Sequence, residues 1–89
     1  MRVIWDEVKA RENRIAHGVA FADAEAVLLD PFALTIDDDH AEDEQRHISL
    51  GQDALGRILV VVYTYRDENI IRLISARKAS SGEVKIYER

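Results

Sequence analysis

Five cations in the second half of this 89-residue chain ask for a chemical reason: Arg46, Arg57, Arg72, Arg77 and Lys78. They are threaded through runs of valine, isoleucine, leucine and tyrosine that read as β-strands. Burying an arginine without a partner is costly, so cations inside a sheet have a carboxylate beside them or an anionic ligand. Ahead of Arg46 stand His40 and Glu44, two side chains able to move protons. A cationic sheet face with a histidine and a glutamate suits RNA cleavage, which needs neither metal nor covalent intermediate. A base removes the 2′-hydroxyl proton, an acid protonates the leaving 5′-oxygen, and cations stabilise the crowded phosphorane. Tyr63 and Tyr65, two apart in one strand, share a face and can stack on bases, although core or rim packing is the commoner role for such a pair.

The positioning elements follow from local signals. Arg57–Tyr65 and Ile70–Ala79, joined by a polar corner at Arg66–Asn69, read as a central β-hairpin. Strict alternation in the second arm puts Arg72 and Lys78 on one face and Arg77 on the other, so both arginines serve one face only if a bulge or the strand end intervenes. Asp6 as N-cap and Gly18 as stop predict a helix over 7–17, with Trp5 stapled near Ala10. Lys9, Asn13 and His17 recur every four residues as one polar stripe, read as a solvated face or as a contributor to a site. A second helix is expected over 21–29, ended by Asp30-Pro31, with Ala20 at the cap lacking a hydroxyl. Strands are expected at Phe32–Ile36 and Arg46–Gly51, a short extended segment at Arg2–Trp5, and a terminal helix capped by Ser80 or Ser81. The expected fold is α+β: two N-terminal helices, a four-stranded antiparallel sheet in meander order, and a short C-terminal helix, in one domain spanning 1–89.

Composition narrows the function classes. There is no cysteine, which removes disulfides and thiolate metal sites and fits a reducing cytosol. No apolar run approaches the length of a membrane span, and the charged first residues do not read as a signal peptide, so a soluble cytoplasmic protein is expected. The net charge of −5 is unevenly spread: residues 1–45 carry four Lys/Arg against twelve Asp/Glu, residues 46–89 eight against five. An acidic total disfavours non-specific nucleic-acid binding, allows a local basic cleft, and suits a basic protein partner. The run Asp37–Glu44 holds six acids around His40 but lacks the glycine of a calcium loop, and the chain has no zinc spacing. A solvated loop is the expectation there, with no metal and no cofactor.

Taken together, several stretches resemble the BrnT family, the toxin half of bacterial type II toxin–antitoxin pairs. They are Trp5-Asp6-Glu7 with Lys9-Ala10, Asn13 and His17-Gly18-Val19; Phe21 with the Ala24 helix; Asp30-Pro31; His40 with Glu44 and Arg46; Gly56–Thr64; and Ile74–Ala79. The resemblance covers nearly the whole chain in order. It implies a RelE-like ribonuclease fold and RNA cleavage that arrests growth. It also implies neutralisation by a BrnA-type ribbon-helix-helix antitoxin, through which operator DNA is contacted only indirectly. Carried onto this chain, the family's polar positions fall at Lys9, His17, His40, Glu44, Arg46, Arg72, Arg77 and Lys78. Of these, Arg72 and Arg77 are expected to bind phosphate and stabilise charge and His40 or Glu44 to move protons, with Arg46, Lys78, Lys9 and His17 as RNA contacts. The chain departs from the family pattern at Ala16, where a lysine is usual, at Tyr65, often an acid, and in a C-terminal helix with fewer arginines. An inactive binding subunit that pairs with a DNA-binding antitoxin is the alternative.

Overall fold

A computed structural model describes residues 1–38 and 44–89. Its sheet has five strands in the order β1-β5-β4-β3-β2: β1 (Arg2–Ile4), β2 (Leu34–Asp38), β3 (Arg46–Gln52), β4 (Ile58–Asp67) and β5 (Ile70–Lys78). The meander β2 to β5 is antiparallel, as expected. The sheet as a whole is mixed, because the N-terminal segment adds a strand parallel to β5, pairing Val3 with Ile71. A pairing this short and this distant in sequence has no local signal, and the four-stranded antiparallel expectation is corrected to that extent.

Helix α1 (Glu7–His17) has the expected ends: the Asp6 carboxylate accepts from the Lys9 amide, and Gly18 takes the left-handed conformation at φ 68°. The second helical segment is split. Residues Phe21–Ala24 form one α-turn, α2, after which Glu25–Leu29 tighten into a 3₁₀ helix. Three residues per turn align Ala24 with Val27, and both are fully buried. Asp30, held extended ahead of Pro31, ends the segment. Its carboxylate accepts from the Phe32 and Gln52 amides and from the Tyr87 hydroxyl at 2.6 Å, tying the helical layer to β3 and to the C-terminal helix α3 (Ser81–Tyr87). Burial pushes the Asp30 carboxyl up, but these three hydrogen bonds outweigh it and its pKa is lowered.

The core lies between this helical layer and one face of the sheet. Leu59, Val61 and Tyr63 of β4 and Ile71, Leu73 and Ala76 of β5 meet Val19, Phe21 and Val27, with the Trp5 ring edge-on to Phe21 at 6.0 Å. The 3₁₀ helix approaches β3 so closely that a Cβ on Gly51 would stand 3.0 Å from Val27 Cγ1 and 3.1 Å from Asp30 Oδ2.

Asn13 is no part of a solvated stripe. It is 7% exposed and serves as a one-residue strand mimic. Pairing with β1 stops at Arg72, which leaves the outer edge of β5 without a strand beyond that point among the described residues. There the Asn13 amide accepts from the Ala76 amide at 3.0 Å and donates to the Ala76 and Val19 carbonyls at 2.8 and 3.2 Å. An unmet buried backbone pair would cost about 1–3 kcal/mol per group, so one asparagine fixes β5 against α1.

Candidate functional site

A register break decides which side chains share a face. Val62 pairs with Ser75 but Tyr63 with Leu73, so Ile74 is an extra residue, a bulge. Alternation restarts beyond it. Arg72, Ser75 and Arg77 all point away from the helical layer, on the face that carries Thr64, Val62 and Val60 of β4. The separation of Arg72 from Arg77 that strict alternation predicts is therefore undone.

On this open face one row crosses four strands: Asp38, Arg46, Thr64 and Arg72. Strands lie about 4.8 Å apart, which places the Arg46 and Arg72 backbones roughly 10 Å from each other across Thr64. Arg72 Nη2 donates to Glu44 Oε1 at 2.7 Å, and the Thr64 hydroxyl donates to the Gln45 carbonyl at 2.7 Å, fixing the chain just before β3. The Nε–H groups of Arg46 and Arg72 are buried and meet no acceptor among the described residues. Two dry guanidinium donors on either side of a threonine, with a glutamate beside one of them, form an arrangement suited to a bound oxyanion.

The remaining predicted site residues lie elsewhere. Arg77 shares the face but sits opposite Val60, four residues along β4 from Thr64, or roughly 13 Å. It is closed off by Glu83 through two hydrogen bonds of 2.8 and 2.9 Å. Glu83 completes a capping box with Ser80, and its pKa falls to about 2, chiefly through the Arg77 hydrogen bonds and then the Ser80 amide. The same pair raises the Arg77 pKa. Lys78 is exposed at the strand end. Lys9 and His17 are exposed on α1, where they line a depression of about 280 Å³ with Ala16 and Ile74, away from the Arg46–Arg72 row. His40 lies outside the described residues. Arg57 has a structural duty: its Nε and Nη2 meet the buried Asp53 carboxylate at 2.9 and 2.8 Å.

The structure also brings together groups that spacing did not single out. On the helical side of the sheet, beyond the packed core, His47 Nδ1 meets Asp37 Oδ1 at 2.9 Å. The His47 ring contacts Tyr63 and Tyr65 with centroids 5.6 and 5.3 Å away. Tyr63 is buried and hydrogen-bonded to Ser49, whereas Tyr65 is 51% exposed. The β2–β3 register sets Asp37 opposite His47 and so puts both on one face, whereas a strand read as Phe32–Ile36 stops one residue short of Asp37.

Among the described residues no helix is long and apolar enough to cross a membrane, and no three His, Cys, Asp or Glu side chains gather as a metal site. A family model described as the ribonuclease toxin BrnT of type II toxin–antitoxin systems matches residues 5–83. The 1.1 Å crystal structure of the Brucella abortus ribonuclease toxin BrnT is similar, with a TM-score of 0.71 and 29% identity, covering 91% of this chain and 99% of that one. No curated protein sequence matched the chain.

Proposed function

This chain belongs to the BrnT ribonuclease toxins of type II toxin–antitoxin systems, and from that premise we propose that it cleaves RNA on the open face of its sheet without a metal ion. The observation that carries the reading is the placement of Arg46 and Arg72 in one row of one face, each with a buried Nε–H that has no acceptor among the described residues. A scissile phosphate bound between Arg46 and Arg72 would accept from both guanidiniums and gain their charge as the phosphorane forms, while the buried Thr64, bonded to the Gln45 carbonyl, holds the chain before β3 in place. Glu44, held by Arg72 at 2.7 Å, is then placed to take the 2′-hydroxyl proton. His40 remains the candidate for protonating the 5′-oxygen. Arg77 prolongs the basic face away from the reacting phosphate, while Lys78, opposite Leu59, belongs to the other side of the sheet. Lys9 and His17, on another layer, are assigned no part in the chemistry. The toxin acts in the cytoplasm and is neutralised by a BrnA-type antitoxin, with which it represses its own operon.

The test is cleavage of a single-stranded RNA by the purified, partner-free chain, with and without EDTA. Cleavage that persists in EDTA and falls in Arg72→Ala and Glu44→Gln supports the mechanism, and loss of cleavage in EDTA refutes its metal independence. A second reading, an inactive subunit that only holds the antitoxin, is favoured by the ion pairs that occupy both β5 arginines. Antitoxin binding by a chain without ribonuclease activity would decide for it.

A further inference from the structure

Strand β2 is the open edge of the sheet: the order β1-β5-β4-β3-β2 leaves its outer side without a strand among the described residues. Edge strands are normally blunted by brevity, by charged side chains, lysine above all, by proline or by a bulge. The sequence Leu34-Thr-Ile-Asp-Asp38 has neither lysine nor proline, its charges are confined to Asp37 and Asp38 at one end, and its pairing with β3 runs unbroken over all five positions. The two sides of the strand differ. Leu34 and Ile36 project onto the open face, 47% and 65% exposed, and the half-buried Ile48 and Val62 continue that apolar surface. Thr35 and Asp37 point the other way, where Asp37 holds His47 and the half-exposed Tyr65 ring stands beside it.

We propose that this edge receives an extended, basic segment of a partner protein as a sixth strand. The partner's apolar side chains lie on Leu34 and Ile36, and a lysine or arginine lies on the Asp37–Tyr65 side. Main-chain hydrogen bonds supply affinity in such strand addition, and alternate side chains supply choice of partner. The Asp37 carboxylate and the Tyr65 ring both attract a cation. Charge selects the occupant. With twelve acids against four bases in residues 1–45, a second copy would bring like charge to like, and RNA phosphates would face Asp37 and Asp38. A protein that binds DNA needs basic residues to neutralise phosphates and so can offer the complementary charge; the inference therefore rests on the antitoxin reading above and names the surface it uses. Because Asp38 lies opposite Arg46, a strand added here runs up to the rim of the proposed phosphate site.

The test co-expresses the chain with a BrnA-type antitoxin, then compares amide exchange in the free and bound chain. Residues 34–38 should exchange at least about tenfold more slowly in the complex. Ile36→Lys and Asp37→Lys should each weaken binding by about tenfold or more while thermal melting and RNA cleavage of the free chain stay as in wild type. A wild-type complex with unchanged exchange at 34–38, or variants that bind like wild type, would overturn the inference. So would a free chain that dimerises through this edge, detected as a concentration-dependent mass that Ile36→Lys abolishes. Failure of the wild-type chain to bind any such antitoxin would instead remove the antitoxin reading, and the inference with it.

Discussion

Arg72 and Arg77 lie on the same strand, on the same face, each beside a glutamate, and the structure treats them differently. Arg77 is matched fork to fork by Glu83, which also caps α3, so its donors and the carboxylate's acceptors are spent on each other. Arg72 gives Glu44 one short hydrogen bond and keeps a buried Nε–H without an acceptor among the described residues. Arg46 repeats that state two strands away. A guanidinium is available to a ligand according to how many of its donors the protein has already satisfied, and formal charge does not report this.

The contrast can be broken most forcefully at Arg72. Arg72→Ala should lower RNA cleavage about 100- to 1,000-fold, the range seen when one preorganised charge-stabilising donor is removed, and Arg72→Lys should restore little of it because an ammonium lacks the planar fork. Circular dichroism should show the fold retained. Asn13→Ala attacks the strand that carries both arginines. It leaves the Ala76 amide and carbonyl unmet, and chemical denaturation should show a loss of about 2–6 kcal/mol, the sum of two such groups. Gly51→Ala, which forces Val27 and Asp30 away from β3, should cost about 1–3 kcal/mol in the same measurement without altering the Arg46–Arg72 row.

The smallest effects belong to Arg77. Its pair with Glu83 is partly solvated, so Arg77→Ala should cost about 1 kcal/mol or less and leave most of the cleavage rate. The pair still has a pH signature. Glu83 titrates near 4.5 when unfolded and near 2 when folded, so its stabilising contribution is fully present above about pH 4.5 and is lost as pH falls through about 2. Thermal melts between pH 5 and 2 should show a shallower acid loss of stability in Arg77→Ala than in wild type.

What the sequence revealed of this arrangement was what is local. Asp6, Gly18 and a serine at 80 or 81 with Glu83 following mark helix ends because caps act within one turn, and the hairpin of β4 and β5 follows from two apolar runs around a polar corner. The missing pieces are set by tertiary packing. The bulge at Ile74 leaves no composition signal, yet it returns Arg77 to the face of Arg72. Asn13 looks like any exposed helical polar residue until the unpaired edge of β5 meets it. Strand β2 begins at Leu34, two residues later than apolar content suggests, because Asp30 accepts from the Phe32 amide in the turn before it. Pairing then puts Asp37 against His47, a contact that reading β2 as Phe32–Ile36 hides.

The central claim is that the Arg46–Arg72 row, and not Arg77, holds the phosphate that reacts. Single-turnover cleavage of one defined RNA by wild type, Arg72→Ala and Arg77→Ala, in EDTA, measures it directly. The account predicts that Arg72→Ala is slowed about 100-fold or more while Arg77→Ala stays within about tenfold of wild type. Equal losses in the two variants, or a larger loss in Arg77→Ala, would contradict it.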